Sequence, residues 1–423
     1  MENNLENKFA KNAFWIMFGR IFQIVLTFIT TMLVTRYLGP TKYGEITYAY
    51  SYVALFIPVG VLGLNDIIVK ELLDNKEKNG EILGTTIILR TISSIFSIGI
   101  IYIVVKNMSD NKILPYLALL QSFSLVFQAY ECIMYFYQSK LLAKKTGMIH
   151  MISYSVTAIF RIVCLIIKKD IGWFAFAVSL DYIVIAILLV ATYFLDGNKL
   201  SFSIETAKRL LKKSSPYLFA GIMTVISGKS DSIILGKMID ETTVGYYSAA
   251  TTLCNAWPFV LTAIIDSASP IIIDLYSKDK DTYKKRIKQL YASIFYIGVV
   301  VATIFTIFSK PIITILYGNA YMPASLPLKI ASWNTIFSYF GVARFIWMQC
   351  ENKFHLERLI TLVGVIFNLI CNYILISNYG IVGAAITLVL TQFIMNFGLL
   401  FILKETRPNA KLILDAIMLK DVL

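Results

Sequence analysis

Apolar runs long enough to cross a bilayer recur twelve times in this chain, and that recurrence limits its fold more than any other feature. Six lie in the first half, at Ala13 to Val34, Ile46 to Leu64, Leu83 to Val105, Ile113 to Tyr137, Met148 to Ile167 and Trp173 to Leu195. After a polar, basic stretch from Asp196 to Ser215 come Tyr217 to Leu235, Val244 to Leu275, Leu290 to Phe308, Leu328 to Gln349, Leu359 to Ile376 and Ile381 to Leu403. About 20 residues of helix span one hydrocarbon core. The runs are roughly twice the length of a barrel strand and lack strict alternation, so they predict helices. Composition agrees, with 57% of the 423 residues hydrophobic, 15% charged and a mean hydropathy of +0.69. A water-soluble globular protein is excluded, and the expected class is an all-α integral membrane protein with twelve transmembrane helices.

Lys and Arg total 39 against 26 Asp and Glu, a net charge of +13. No basic segment is both soluble and interleaved with aromatics, so nucleic acid is not an expected partner. Sorting the cations into alternate loops puts 25 on one side and 8 on the other. The larger set runs from Lys8 and Lys11 through the clusters at 208–213 and 278–288 to Lys420. The excess places both termini in the cytoplasm, and the basic clusters suit anionic membrane lipid. The polar first twelve residues lead into a 22-residue run with no small-residue cleavage pattern, which predicts a retained helix and not a signal peptide.

The longest outward loop, Ser309 to Pro327, carries one cation and no acid or imidazole, a poor platform for a polymerase or ligase. No phosphate-binding P-loop is present. The imidazoles are His150 and His355, and the five cysteines lack a C-x-x-C pair and read as packing residues. Neither an enzyme nor a cofactor, metal or disulfide is therefore expected.

The chain also repeats itself. The segment Arg36 to Gly44, followed by Ala49 and Pro58, reappears some 201 residues later as Lys237 to Gly245, followed by Ala249, Ala250 and Pro258. Gly172, opening the sixth run, corresponds to Gly380 opening the twelfth. Six spans between equivalents leave both halves facing the same way, which predicts parallel repeats about an axis along the membrane normal. The expected domains are an N-terminal six-helix lobe over residues 1–200 and a C-terminal six-helix lobe with a short cytoplasmic tail over 201–423.

Arg36-Tyr-Leu-Gly-Pro-x-x-Tyr-Gly44 resembles the signature of Wzx-type polysaccharide biosynthesis proteins, flippases of the multidrug/oligosaccharidyl-lipid/polysaccharide exporter superfamily. Three later blocks keep the family's order. They are Asp231-Ser-Ile-Ile-Leu-Gly236 running into Val244 to Ala250, Leu316-Tyr-Gly-x-x-Tyr321, and Asn368-x-x-x-Asn372 with Tyr379 to Ala385. Ser377 departs from the proline that the family often carries before the last glycine. The resemblance implies a MATE-like fold in the bacterial inner membrane and alternating access of two lobes. It implies as cargo an undecaprenyl-pyrophosphate-linked oligosaccharide bound for O-antigen, capsule or exopolysaccharide. Polymerase and chain-length machinery are candidate partners, and H⁺ or Na⁺ a candidate coupling ion. A cation-coupled multidrug antiporter of the same superfamily is the competing reading.

An ionisable group in a span is costly and so faces a cavity or a partner. Arg20, Arg90, Arg161, Lys229 and Arg344 are the candidate substrate-binding residues, because a guanidinium fork grips two phosphate oxygens at once. Their alternative role is ion pairing with Glu131, Asp181, Asp231 or Asp266. Asp181 is the coupling-ion candidate, against a role in helix pairing. Gln23, Gln121, Gln128, Asn255 and Asn368 suit sugar hydroxyls or interhelical hydrogen bonds. Pro58 and Pro258 are the hinge candidates.

Overall fold

The computed structural model describes residues 2–421, with the backbone alone for residues 2–14 and 16, so the topogenic side chains of Lys8 and Lys11 lie outside the described residues. Helices account for every regular element among them. The chain divides into two compact units, 1–229 and 230–423.

The first unit begins with α1 (Glu2–Val61), which carries the first two apolar runs and breaks at Gly39, where φ is 74° and ψ 172°. A side chain is strained at that φ, so glycine is required, and Pro40 then restarts the helix with its φ already set. There follow α2 (Asn65–Asp74), α3 (Asn79–Met108), α4 (Ile113–Gln128), α5 (Cys132–Ser139), α6 (Ala143–Ile166), α7 (Ile171–Leu195) and α8 (Ile204–Met238). The unit boundary falls inside α8. Helix α4 packs against α7, α1 against α6 and α4, and α3 against α4. The amphipathic start of α8 lies in the stretch read as a basic loop, and two of its cations are not simply topogenic. Lys213 and Arg209 both reach the buried carboxylate of Glu71 on α2.

The second unit holds α9 (Glu241–Ala256), α10 (Phe259–Lys278), α11 (Lys280–Tyr317), α12 (Ser325–Ala331), α13 (Asn334–Cys350), α14 (His355–Tyr379), α15 (Ile381–Phe393), α16 (Leu399–Ile402) and α17 (Arg407–Ile417). Tyr291, Phe340, Trp347, Ile360 and Leu400 form part of its core. Helix α17 lies on α11, where Lys288 pairs with Asp415 at 3.4 Å and Asp421 at 3.3 Å. The loop expected from Ser309 is largely helical, because α11 continues to Tyr317 across a kink at Phe308, three residues before Pro311.

Ten helical stretches among the described residues are long and apolar enough to cross a membrane. The difference from twelve runs has two sources. The first two runs form one stretch from Met17 to Asp74, and the tenth is divided at Ser332 and Trp333 into pieces too short to qualify.

The repeated turn is built twice with different chemistry. Position 240 corresponds to Gly39, and there Asp240 is extended (φ −170°, ψ 169°) and caps α9 by accepting a hydrogen bond from the Thr243 amide at 2.7 Å. Gly172 and Gly380 also differ in duty. A Cβ at Gly172 would meet the Tyr116 ring at 3.0 Å, whereas Gly380 carries a φ of 58°.

At the end of α7, Asp196 accepts from Lys145 Nζ at 2.7 Å and from the Tyr137 hydroxyl at 2.8 Å. The Lys145 ammonium, then the Tyr137 hydroxyl, holds this exposed carboxyl below the usual carboxylate range. A pKa lower in the folded than in the unfolded chain stabilises above the unfolded value of about 3.9, and the gain is lost as pH falls through the folded value. Asp196→Asn is therefore expected to melt below wild type at pH 7, with the gap closing under about pH 4. Scanning fluorimetry of the solubilised protein checks this, and melting curves that coincide at pH 7 would refute it.

Candidate functional site

The polar interior of the first unit centres on α6. His150, Tyr154, Thr157 and Arg161 follow one another at helical spacing and share a face. Across from them on α7, Asp181 accepts hydrogen bonds at Oδ1 from Ser153 at 2.6 Å and Thr157 at 3.5 Å. The Arg161 guanidinium is an electrostatic neighbour of that carboxylate and donates to Thr30 Oγ1 on α1 at 3.4 Å. These groups tie α1, α6 and α7 together while leaving Arg161 donors unused.

Arg90 on α3 is 1% exposed and donates from Nη2 to Asn65 Oδ1 at 2.7 Å. Its Nε has no hydrogen-bond partner among the described residues, and Glu131 is the nearby carboxylate that acts on it. Lys229 Nζ lies 5.6 Å from the centre of the Tyr50 ring. Arg20 is exposed to a cavity between α1, α5 and α6. Arg20, Arg90 and Arg161 form no ion pair among the described residues.

Arg344 is placed differently. It belongs to the second unit, is 1% exposed, and binds both oxygens of Glu357 at 2.9 and 3.2 Å and the Met395 carbonyl at 2.9 Å. Its hydrogen bonds join α13 to α14 and to the backbone before α16. The structure thus brings Arg161 and Asp181 together, seats Arg90 near Glu131, and leaves Arg344 apart from them in its own unit.

Pro58 lies inside α1 close to the helix end, and a Cβ at Gly221 would sit 3.2 Å from it. Pro258 stands at a full break between α9 and α10. Gln121 ties α4 to α1 by donating to the Ile46 carbonyl at 3.1 Å.

A second polar group, in the second unit, is one to which the sequence assigned no joint role. Asp231 is 3% exposed and accepts from the Tyr247 hydroxyl at 2.6 Å and from the carboxamides of Asn368 and Asn372. Asn368 also accepts from Ser230 at 2.6 Å and donates to Thr391 at 3.2 Å. Asp231 forms no ion pair among the described residues, and Asn372 Oδ1 has no partner there. Asp231, Tyr247, Asn368 and Asn372 come from two of the quoted sequence blocks, a signal that the blocks meet in space. The block Leu316 to Tyr321 has a packing role instead: Gly318 (φ 92°) ends α11, and Tyr321 packs edge-on against Tyr246 at 6.1 Å.

This architecture is shared with known membrane transporters. The inward closed lipid II flippase MurJ superposes with a TM-score of 0.75 at 15% identity, over 98% of this chain and 92% of its own. An inward-facing multidrug resistance MATE transporter of the MOP superfamily gives 0.70 at 13% identity, over 93% and 96%. The fold is thus of the MATE and MurJ class. The model of the polysaccharide biosynthesis protein family matches residues 9–276, more than half of the sequence, and the chain belongs to that family. Among curated relatives, a putative O-antigen transporter of Shigella flexneri is 24% identical over 416 residues, 89% of this chain and 93% of that one. A membrane protein of Methanocaldococcus jannaschii is 27% identical over 234 residues, 52% of this chain and 46% of the relative, so the match spans about half of each.

Proposed function

We propose that this chain is a flippase that moves isoprenoid-diphosphate-linked oligosaccharide units from the cytoplasmic to the outer leaflet of a bacterial inner membrane, by alternating access of its two halves. The observation that carries the reading is the charge of the first unit's interior. Four cations, Arg20, Arg90, Arg161 and Lys229, are set against two carboxylates, Glu131 beside Arg90 and Asp181 beside Arg161, and Arg20, Arg90 and Arg161 form no ion pair among the described residues. An interior of that balance suits a diphosphate, and each guanidinium offers a forked pair of donors to it. A cationic drug would meet repulsion there. The family and the Shigella relative's name point the same way.

In this reading Arg344 stabilises the second half through Glu357 and does not touch cargo. Asp181 carries the coupling proton or sodium ion, with its charge state set against Arg161. The basic loops hold both termini in the cytoplasm, and the breaks near Pro58 and Pro258 give the second helix of each half its freedom to bend.

The test is transport in proteoliposomes, with an isoprenoid-diphosphate-linked oligosaccharide supplied on one face and its appearance on the other followed by a sugar-specific enzyme. Wild type is expected to accelerate translocation well above protein-free vesicles and to leave a cationic dye gradient undisturbed. Dye efflux without lipid translocation would replace the flippase by an antiporter.

A further inference from the structure

The cavity at Arg20 is built for more than a phosphate. It measures about 440 Å³, within the range of small-molecule sites. Its walls come from three helices, with Trp15, Arg20 and Gln23 on α1, Gln138 on α5, and His150 and Tyr154 on α6. The α1 and α6 walls are held close because glycines face each other at their crossing. A Cβ on Gly19 would stand 3.9 Å from the Gly147 Cα, and one on Gly147 would stand 3.4 Å from the Trp15 carbonyl.

Two kinds of surface meet in this space. One is a set of hydrogen-bonding groups with spare capacity. Arg20, Gln23 and Gln138 make no side-chain hydrogen bond or ion pair with any described residue. Each carboxamide has two donors and an acceptor, the inventory that vicinal hydroxyls use. The other is aromatic. The His150 and Tyr154 rings stack at 5.8 Å and 24°, and His150 Nε2 lies 3.1 Å from Met134 Sδ, so that face is held in position. The indole of Trp15 adds a further ring. Electron-rich ring faces accept the slightly positive C–H groups of a pyranose. No carboxylate lies among the described lining residues, so none of them offers an organic cation a counter-charge.

We infer that this cavity is a sugar subsite that binds the first sugar of the cargo next to the phosphate held by Arg20, with Gln138 and Tyr154 setting which sugar is accepted. The inference rests on the flippase reading above. The cavity lies where α5 gives way to α6, beside the basic turn containing Lys140, Lys144 and Lys145, which is the loading side in that reading.

The experiment measures equilibrium binding of the full-length solubilised chain to bare isoprenoid diphosphate and to the same lipid carrying glucose, galactose or N-acetylglucosamine. Wild type is expected to prefer at least one glycosylated lipid over the bare one by about tenfold. Gln138→Ala and Tyr154→Ala should each shrink that preference about fivefold, whereas Arg20→Ala should weaken bare and glycosylated lipids together. A preference unchanged in both Gln138→Ala and Tyr154→Ala, or wild type that binds no glycosylated lipid tighter than the bare one, would overturn the subsite. Wild type that shows the preference yet fails to translocate the same lipid in vesicles would instead overturn the transport reading and leave the subsite standing.

Discussion

Arg161→Ala is expected to slow translocation of a diphosphate-linked oligosaccharide by roughly 10- to 100-fold, because one charge-assisted contact to phosphate is worth about 1.5–3 kcal/mol. Arg161 has spare donors after its single hydrogen bond to Thr30, so the loss falls on cargo more than on packing. Removing it also leaves Asp181 with only the hydroxyls of Ser153 and Thr157. Arg161→Lys keeps the charge but not the fork, and should retain an intermediate rate. Initial rates in proteoliposomes decide the matter. Arg161→Ala transporting at the wild-type rate would remove the guanidinium from the cargo path.

Asp231→Ala is expected to have the largest effect on stability. The substitution strips the common acceptor from the Tyr247 hydroxyl and from the Asn368 and Asn372 carboxamides, all buried. Each donor left unsatisfied costs about 1–3 kcal/mol, so the second unit should lose several kcal/mol. Asp231→Asn retains a carbonyl acceptor in the same place and should melt much closer to wild type. The measurement is the melting temperature of both solubilised variants. If the asparagine variant is as unstable as the alanine one, the cluster depends on its negative charge and not on its hydrogen bonds.

Much of the fold is legible because the bilayer simplifies the problem. A run such as Met148 to Ile167 has few alternatives to a helix once its backbone must be satisfied internally, and α6 covers it. Breaks were harder to read, since they depend on local backbone chemistry and not on hydropathy. The division of the tenth run at Ser332 and Trp333 contains neither glycine nor proline. Helix extensions beyond the apolar runs were also hidden. The start of α8 is amphipathic and looks like a polar loop until Glu71 is seen to hold Arg209 and Lys213.

The site divides in a similar way. The sequence marks which cations fall within the long apolar runs. It does not mark which of them are occupied by a partner, because that depends on how helices face one another. Arg344 and Glu357 are separated by a turn between α13 and α14, and nothing in either run marks them as a pair. The sequence leaves Asn368 open to sugar hydroxyls or to interhelical hydrogen bonds, and its carboxamide is engaged by Ser230, Asn372 and Thr391. The Arg20 cavity is not legible in the sequence, because its polar residues come from three separated segments.

The paired turns at Gly39 and Asp240 have a consequence for how the two halves tolerate change. At Gly39 the requirement lies in the backbone itself, so every one of the other residue types is penalised by its own Cβ. At Asp240 the requirement is an oxygen within reach of the Thr243 amide, which serine, threonine or asparagine also supplies. One copy of the repeat is thus fixed to a single letter, while the other can drift through a small alphabet. The two turns answer to different demands, a backbone angle at Gly39 and a hydrogen-bond acceptor at Asp240.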